Sequence, residues 1–187
     1  MNKLDYFRKS SEVIKQLAAE FPGELQRLVT EILQAWESGG KVISFGNGGS
    51  AGDSLHFTTE LVARFKSQPI HQPAVSLAGN PCTVTAVAND WSFDELFSRQ
   101  IKAIGTARDV YLGRSTSGDS ENVVRGLQEG LHRGGKVFAL TGSRGGRISE
   151  LEVELIAVPA SVTAHIQEAH IVCLHWVCEQ IDAALNG

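Results

Sequence analysis

KVISFGNGGSAGDSLHFTTEL, Lys41 to Leu61, holds a short apolar run, a glycine-rich turn and a helical pattern opening near Ser50 and Ala51. An apolar run ending in glycines ahead of a helix is a strand–turn–helix unit. Its turn leaves several backbone N–H groups free at the positive end of a helix dipole, an arrangement that holds phosphate without a dedicated cation. His56 and Glu60 follow four residues apart on one face of that helix, about 6 Å in rise. An imidazole and a carboxylate therefore stand one turn apart on the helix that carries the anion-binding turn.

Working outward, four more apolar runs follow: Ala74 to Leu77, Val110 to Gly113, Lys136 to Leu140 and Glu154 to Val158, with helical patterns between them. Strands alternating with helices predict a parallel sheet covered on both faces, with functional loops at the carboxyl ends of the strands. The last helix is expected from about Ala164 to Leu185. Before the first strand, Leu4, Phe7, Val13, Ile14 and Leu17 form one helical stripe. Leu25, Leu28, Val29, Ile32 and Trp36 form a second after Pro22-Gly23. This hairpin over residues 1–38 either covers the α/β core of 39–187 or builds a bundle with another subunit; a mixture of both is favoured.

Residue number and composition fit one domain. The 187 residues suffice for a proper core, and 42% hydrophobic with 20% charged residues are ordinary globular values. A formal net charge of −4 gives no electrostatic footprint for nucleic acid. Cys82, Cys173 and Cys178 are odd in number and lack C-x-x-C spacing, which predicts reduced thiols in a cytoplasmic protein and no zinc–thiolate site. The first residues interleave charge with apolar side chains, unlike an export signal, and no window reaches the roughly 18 apolar residues of a membrane span.

Three loops follow strand ends: GNGGS, RSTSGDS (Arg114 to Ser120) and TGSRGG (Thr141 to Gly146). In the second, Asp119 or Ser120 reads as a helix N-cap. Capping does not explain the four hydroxyls of Ser115, Thr116, Ser117 and Ser120, which make a phosphate cradle beside Gly118. TGSRGG reads as a plain turn. GNGGSA also satisfies the dinucleotide pattern G-x-G-x-x-A. However, Ala78-Gly79-Asn80 stands after the second strand where a nicotinamide site wants an acid, and no Walker lysine follows the loop.

GNGGSAGDSLHF, STSGDS and HIQEAH together are similar to the sugar isomerase (SIS) domain family, in order and over nearly the whole chain. Within it, the chain most resembles the branch that converts sedoheptulose 7-phosphate to D-glycero-D-manno-heptose 7-phosphate for heptose and lipopolysaccharide precursors. The resemblance implies a single SIS domain over 1–187: a three-layer, doubly wound, five-stranded parallel sheet whose N-terminal hairpin serves a homotetramer with sites shared between subunits. Carried over residue by residue, Asn47, Gly48, Gly49, Ser50, Asn89, Asp90 and Gln167 would contact substrate, and Ser115, Thr116, Ser117 and Ser120 its phosphate. His56, Glu60, Gln167 and His175 would hold one Zn2+ per subunit, with Glu60 and His175 transferring protons. Gln167 and His175 lie eight residues apart, about 12 Å in helical rise. Both reach one ion only by leaning together or from different subunits.

Two positions depart from the family's habit: Ala164 where an acid is common, and Arg114 where an aliphatic residue is common. They keep two alternatives open. One is a non-catalytic tetramer resembling the DnaA initiator-associating protein of replication initiation. The other is an isomerase or sensor for a different sugar phosphate. An isolated His-x-x-x-Glu pair is usually a solvated contact, and an isolated His175 among apolar neighbours a satisfied core residue. His165 and His170 read as structural or interfacial, His71 and His132 as surface.

Overall fold

Five parallel strands form one sheet in the order β2-β1-β3-β4-β5: β1 Val42–Gly46, β2 Ala74–Ser76, β3 Val110–Ser115, β4 Lys136–Thr141 and β5 Glu154–Ala157. The computed structural model describes residues 4–20, 22–66 and 71–186. All five expected strands are present, with ends moved by a residue or two. Every residue of β1 and β3 is buried, as a central parallel strand covered on both faces requires.

The helices are α1 Asp5–Ala19, α2 Gly23–Glu37, α3 Gly49–Val62, α4 Pro81–Asp90, α5 Leu96–Ile104, α6 Glu121–His132 and α7 Thr163–Asn186. Two cores flank the sheet. Val42, Val110, Leu112 and Leu140 face one of them, packed against Leu28 and Ile32 of α2, Phe57 of α3 and Ala169 and Val177 of α7. Ile43, Phe45, Tyr111 and Ala139 face the other, against Phe97 and Ile101 of α5 and Val123 and Leu127 of α6. The alternation along each strand sends odd and even residues to opposite layers, which yields the three-layer, doubly wound fold.

The hairpin of α1 and α2 lies on the first core. Leu25, Leu28, Val29, Ile32 and Ala35 of α2 are buried at spacings of three and four, whereas α1 buries only Leu17. Leu4 and Phe7 remain exposed. The chain leaves β1 outward to β2 and then crosses to β3, so the topological switch lies between β1 and β3. Pairing of Phe45 with Gly113 and Gly46 with Arg114 brings the loops after these strands level with each other.

Candidate functional site

The loop after β1 is built around Gly48, whose φ of 55° starts α3. Ala51 and Gly52 donate to the Gly48 carbonyl at 3.0 and 3.2 Å, while the N–H groups ahead of them face the positive end of the helix. Asn47 and Asn122 exchange two amide hydrogen bonds, 2.8 and 3.0 Å long. Asn122 is buried in α6, so this pair ties the first loop to the helix that follows the second. A lone Asn in a helix carries no sequence signal for that role.

In the loop after β3, Ser120 occupies the N-cap position of α6 without capping it. Its hydroxyl turns back to Ser115 Oγ at 3.0 Å, and Ser117 Oγ lies 3.4 Å from the same atom. Three of the four expected hydroxyls therefore converge. Gly118, at φ 78°, approaches the next loop so closely that a Cβ would lie 1.9 Å from the Gly145 carbonyl. Gly142 donates to Thr116 O, Ile148 to Gly118 O and Arg147 N–H to Asp119 Oδ1. TGSRGG is thus more than a plain turn: it braces the hydroxyl loop, and both line a cavity of about 330 Å³ with Thr116, Ser117, Ser143 and Arg144 on its wall.

His56, Glu60 and His175 meet elsewhere on the molecule. His56 Nε2 stands 2.9 Å from His175 Nε2 and 3.4 Å from Glu60 Oε1. Parallel packing of α3 and α7 produces this contact. Gln167 lies against Gly49 at the start of α3, where a Cβ on the glycine would come within 2.5 Å of its amide nitrogen. Seven residues down α3 and eight down α7, the two imidazoles touch. Gln167 is therefore about 12 Å along the helix from His175, at the glycine loop and apart from the other three expected metal ligands. Asn89 and Asp90, at the exposed end of α4, hydrogen-bond to each other at 2.7 Å.

Among the described residues no group of three or more His, Cys, Asp or Glu side chains is placed to hold a metal ion. His56, Glu60 and His175 are nonetheless donor types that zinc takes. Ligand distances of 2.0–2.1 Å put neighbouring donors of a tetrahedral site about 3.4 Å apart. The His56–Glu60 separation of 3.4 Å already has that value, and the 2.9 Å between imidazoles needs to widen by a few tenths.

Arg114 is fully buried, as are His170 and Thr141. Burial pushes the Arg114 guanidinium down to about 10, partly opposed by the charge of Asp53. His165 is buried beside Glu168, which also accepts from Tyr6 and Ser10 of α1. His71 and His132 are exposed. Burial holds the thiols of Cys173 and Cys178 up at about 12, which fits inert core cysteines.

A model of the SIS domain matches residues 5–142 of this chain. Over 185 residues, 97% of the chain and 93% of the relative, it is 40% identical to a phosphoheptose isomerase of Shewanella frigidimarina. A probable phosphoheptose isomerase of Thermoplasma volcanium is 43% identical over 159 residues, 85% of this chain and 81% of the relative. Among solved structures, a phosphoheptose isomerase of Francisella tularensis superposes with a TM-score of 0.92 at 34% identity, covering 98% of this chain and all (100%) of the other. That of Neisseria gonorrhoeae gives 0.89 at 35%, covering 95% of each.

Proposed function

Because the chain belongs to the SIS-domain family, among its phosphoheptose isomerases, we infer that it interconverts sedoheptulose 7-phosphate and D-glycero-D-manno-heptose 7-phosphate. The observation that carries the mechanism is the contact of His56 and His175 beside Glu60, on a fold that also presents the hydroxyl loop. Glu60 takes the proton from C1 of the ketose, giving an enediol, and returns a proton to C2. Meanwhile the hydroxyl proton of O1 leaves and one arrives at O2, an exchange assigned to His175. At 2.9 Å the two Nε2 atoms share a proton, one donating and one accepting, so His175 is placed to hold or release it.

Zinc, one per subunit, would be held by His56, Glu60 and His175 in place of the proton between the two imidazoles, and would polarise the substrate's carbonyl and hydroxyl oxygens. Ser115, Thr116, Ser117 and Ser120 with the amino end of α6 receive the phosphate, and Asn47, Gly48, Gly49 and Ser50 line the sugar. Gln167, packed on Gly49, belongs with this second group in its own protomer. The product feeds heptose and lipopolysaccharide precursors in the cytoplasm; among the described residues no helix is long and apolar enough to cross a membrane.

The working unit is a homotetramer with sites completed between subunits. Glu60 lies eleven residues beyond Gly49, about 16 Å down α3. An extended seven-carbon phosphate with bonds of about 1.5 Å spans only on the order of 10 Å. His56, with 47% of its side chain exposed, is open to a second protomer. Presence of the acid and both imidazoles in contact favours catalysis over the scaffold that resembles the DnaA initiator-associating protein.

The test is an isomerase assay on purified protein in both directions. Glu60→Gln should reduce kcat by about 10²–10⁴ while phosphate still binds. Full activity in that variant overturns the role of Glu60, and an inactive wild-type protein overturns the reading.

A further inference from the structure

Among the described residues, the buried side-chain atoms without a hydrogen-bond partner are Asp53 Oδ2, Arg114 Nε and Nη1, Thr141 Oγ1 and His170 Nδ1. They belong to four side chains gathered where the ends of β3 and β4 meet α3 and α7. Arg114 follows Val110 and Leu112 on the β3 face that packs against Phe57 and Ala169. Its guanidinium lies 5.9 Å from the Phe57 ring, and Nη2 donates to Ser44 Oγ. Asp53 stands one turn ahead of Phe57 and three residues ahead of His56. On the α7 side, His170 Nε2 pairs with the Thr141 carbonyl at 3.2 Å.

A guanidinium with no direct ion pair among the described residues, two of its nitrogens unpartnered there and no surface exposed is a costly occupant of a core. An aliphatic side chain at this strand position would avoid that cost. Folds tolerate such violations chiefly at functional sites. Burial raises the Asp53 carboxyl, and the charges that oppose this are Arg114, His56 and His175, in that order. Arg114 packs on Phe57, the residue next to His56 on α3, and so lies beneath the turn that carries the proposed catalytic imidazole.

We propose that Arg114 is a positioning residue: a buried cation under the Phe57 ring that supports the turn of α3 running from Asp53 to Phe57, and with it the placement of His56 against His175. The inference rests on the isomerase reading for its kinetic consequence only. The cation is kept at the expense of stability, because a hydrophobic side chain of similar length would pack the same space without stranded donors.

The variants are Arg114→Met, Arg114→Lys and Asp53→Asn, studied as the full chain. Arg114→Met should melt at or above the wild-type temperature while kcat falls about tenfold and KM stays within about twofold. Arg114→Lys, which keeps the charge, should recover most of that kcat. In the Asp53→Asn background Arg114→Met should cost almost nothing further, since the two would act along one line. The imidazole NMR resonances of His56 and His175 should move in Arg114→Met and in Asp53→Asn. A lower melting temperature with kcat and both imidazoles unchanged would make Arg114 merely structural and overturn the proposal, as would additive losses in the double variant. Should the wild-type protein show no isomerase activity, the function reading fails, and the imidazole resonances still decide the role of Arg114.

Discussion

Gly49 has no conformational need to be glycine: it is helical, and its φ lies outside the left-handed region. What it provides is room for the Gln167 amide, whose nitrogen would sit 2.5 Å from an added Cβ. That amide is the far end of a flexible side chain and can swing away, and alanine favours helix over glycine by about 0.5–1 kcal/mol. Gly49→Ala should therefore leave the melting temperature unchanged or slightly raised while isomerase activity falls at least about tenfold; thermal melts beside steady-state kinetics check both. His170 makes the opposite kind of case, stability without a role in binding. Burial pushes its imidazole down to about 4, with the Thr141 carbonyl opposing and Arg114 reinforcing. The unfolded chain, near 6.5, binds a proton that the folded chain refuses, so stability is lost as pH falls from about 6.5 towards about 4. The loss is on the order of 3 kcal/mol. His170→Gln should flatten that slope in urea melts between pH 7 and 4.5.

At the scale of elements, the site depends on how α7 is held beside α3. Glu168, next to Gln167, accepts from Tyr6 and Ser10 of α1 and contacts His165 Nδ1 at 3.1 Å. These bonds matter because α1 buries so little apolar surface of its own. Glu168→Ala should raise amide hydrogen exchange across Asp5–Ala19 by at least about tenfold, roughly 1.4 kcal/mol of local opening, and leave the sheet protected. Unchanged exchange would mean that Leu17 and its neighbours alone secure the helix. The strands were legible as apolar runs, and the anion loops as glycines and hydroxyls at strand ends, because local composition encodes both. The offset between α3 and α7 was not. Sequence spacing placed Gln167 and His175 about 12 Å apart without saying which would meet His56. Nor did it reveal that Arg114, on an otherwise apolar strand, is buried among Asp53, Thr141 and His170, since a charged residue there reads equally well as a strand end reaching solvent.

For the whole molecule, the proposed tetramer rests on the distribution of functional groups over one protomer. The glycine and hydroxyl loops lie at the carboxyl end of the sheet, whereas Glu60 stands about 16 Å further down α3, more than the span on the order of 10 Å of an extended seven-carbon phosphate. If each site takes its phosphate loop from one protomer and its proton-transfer groups from another, two inactive proteins can repair each other. Glu60→Gln keeps an intact loop, and Ser117→Ala with Ser120→Ala keeps an intact acid. Mixed across a two-fold interface, such a pair contains one wild-type site and one doubly defective site. Random co-assembly from equal amounts makes half the interfaces mixed, so about a quarter of all sites, and about a quarter of wild-type kcat, should return. Refolding the two variants together and comparing kcat with the same variants refolded apart measures this. Absence of any gain in verified mixed tetramers would place loop and acid in one protomer's site, and α3 and α7 would then have to rearrange to bring Glu60 to the glycine loop of its own protomer.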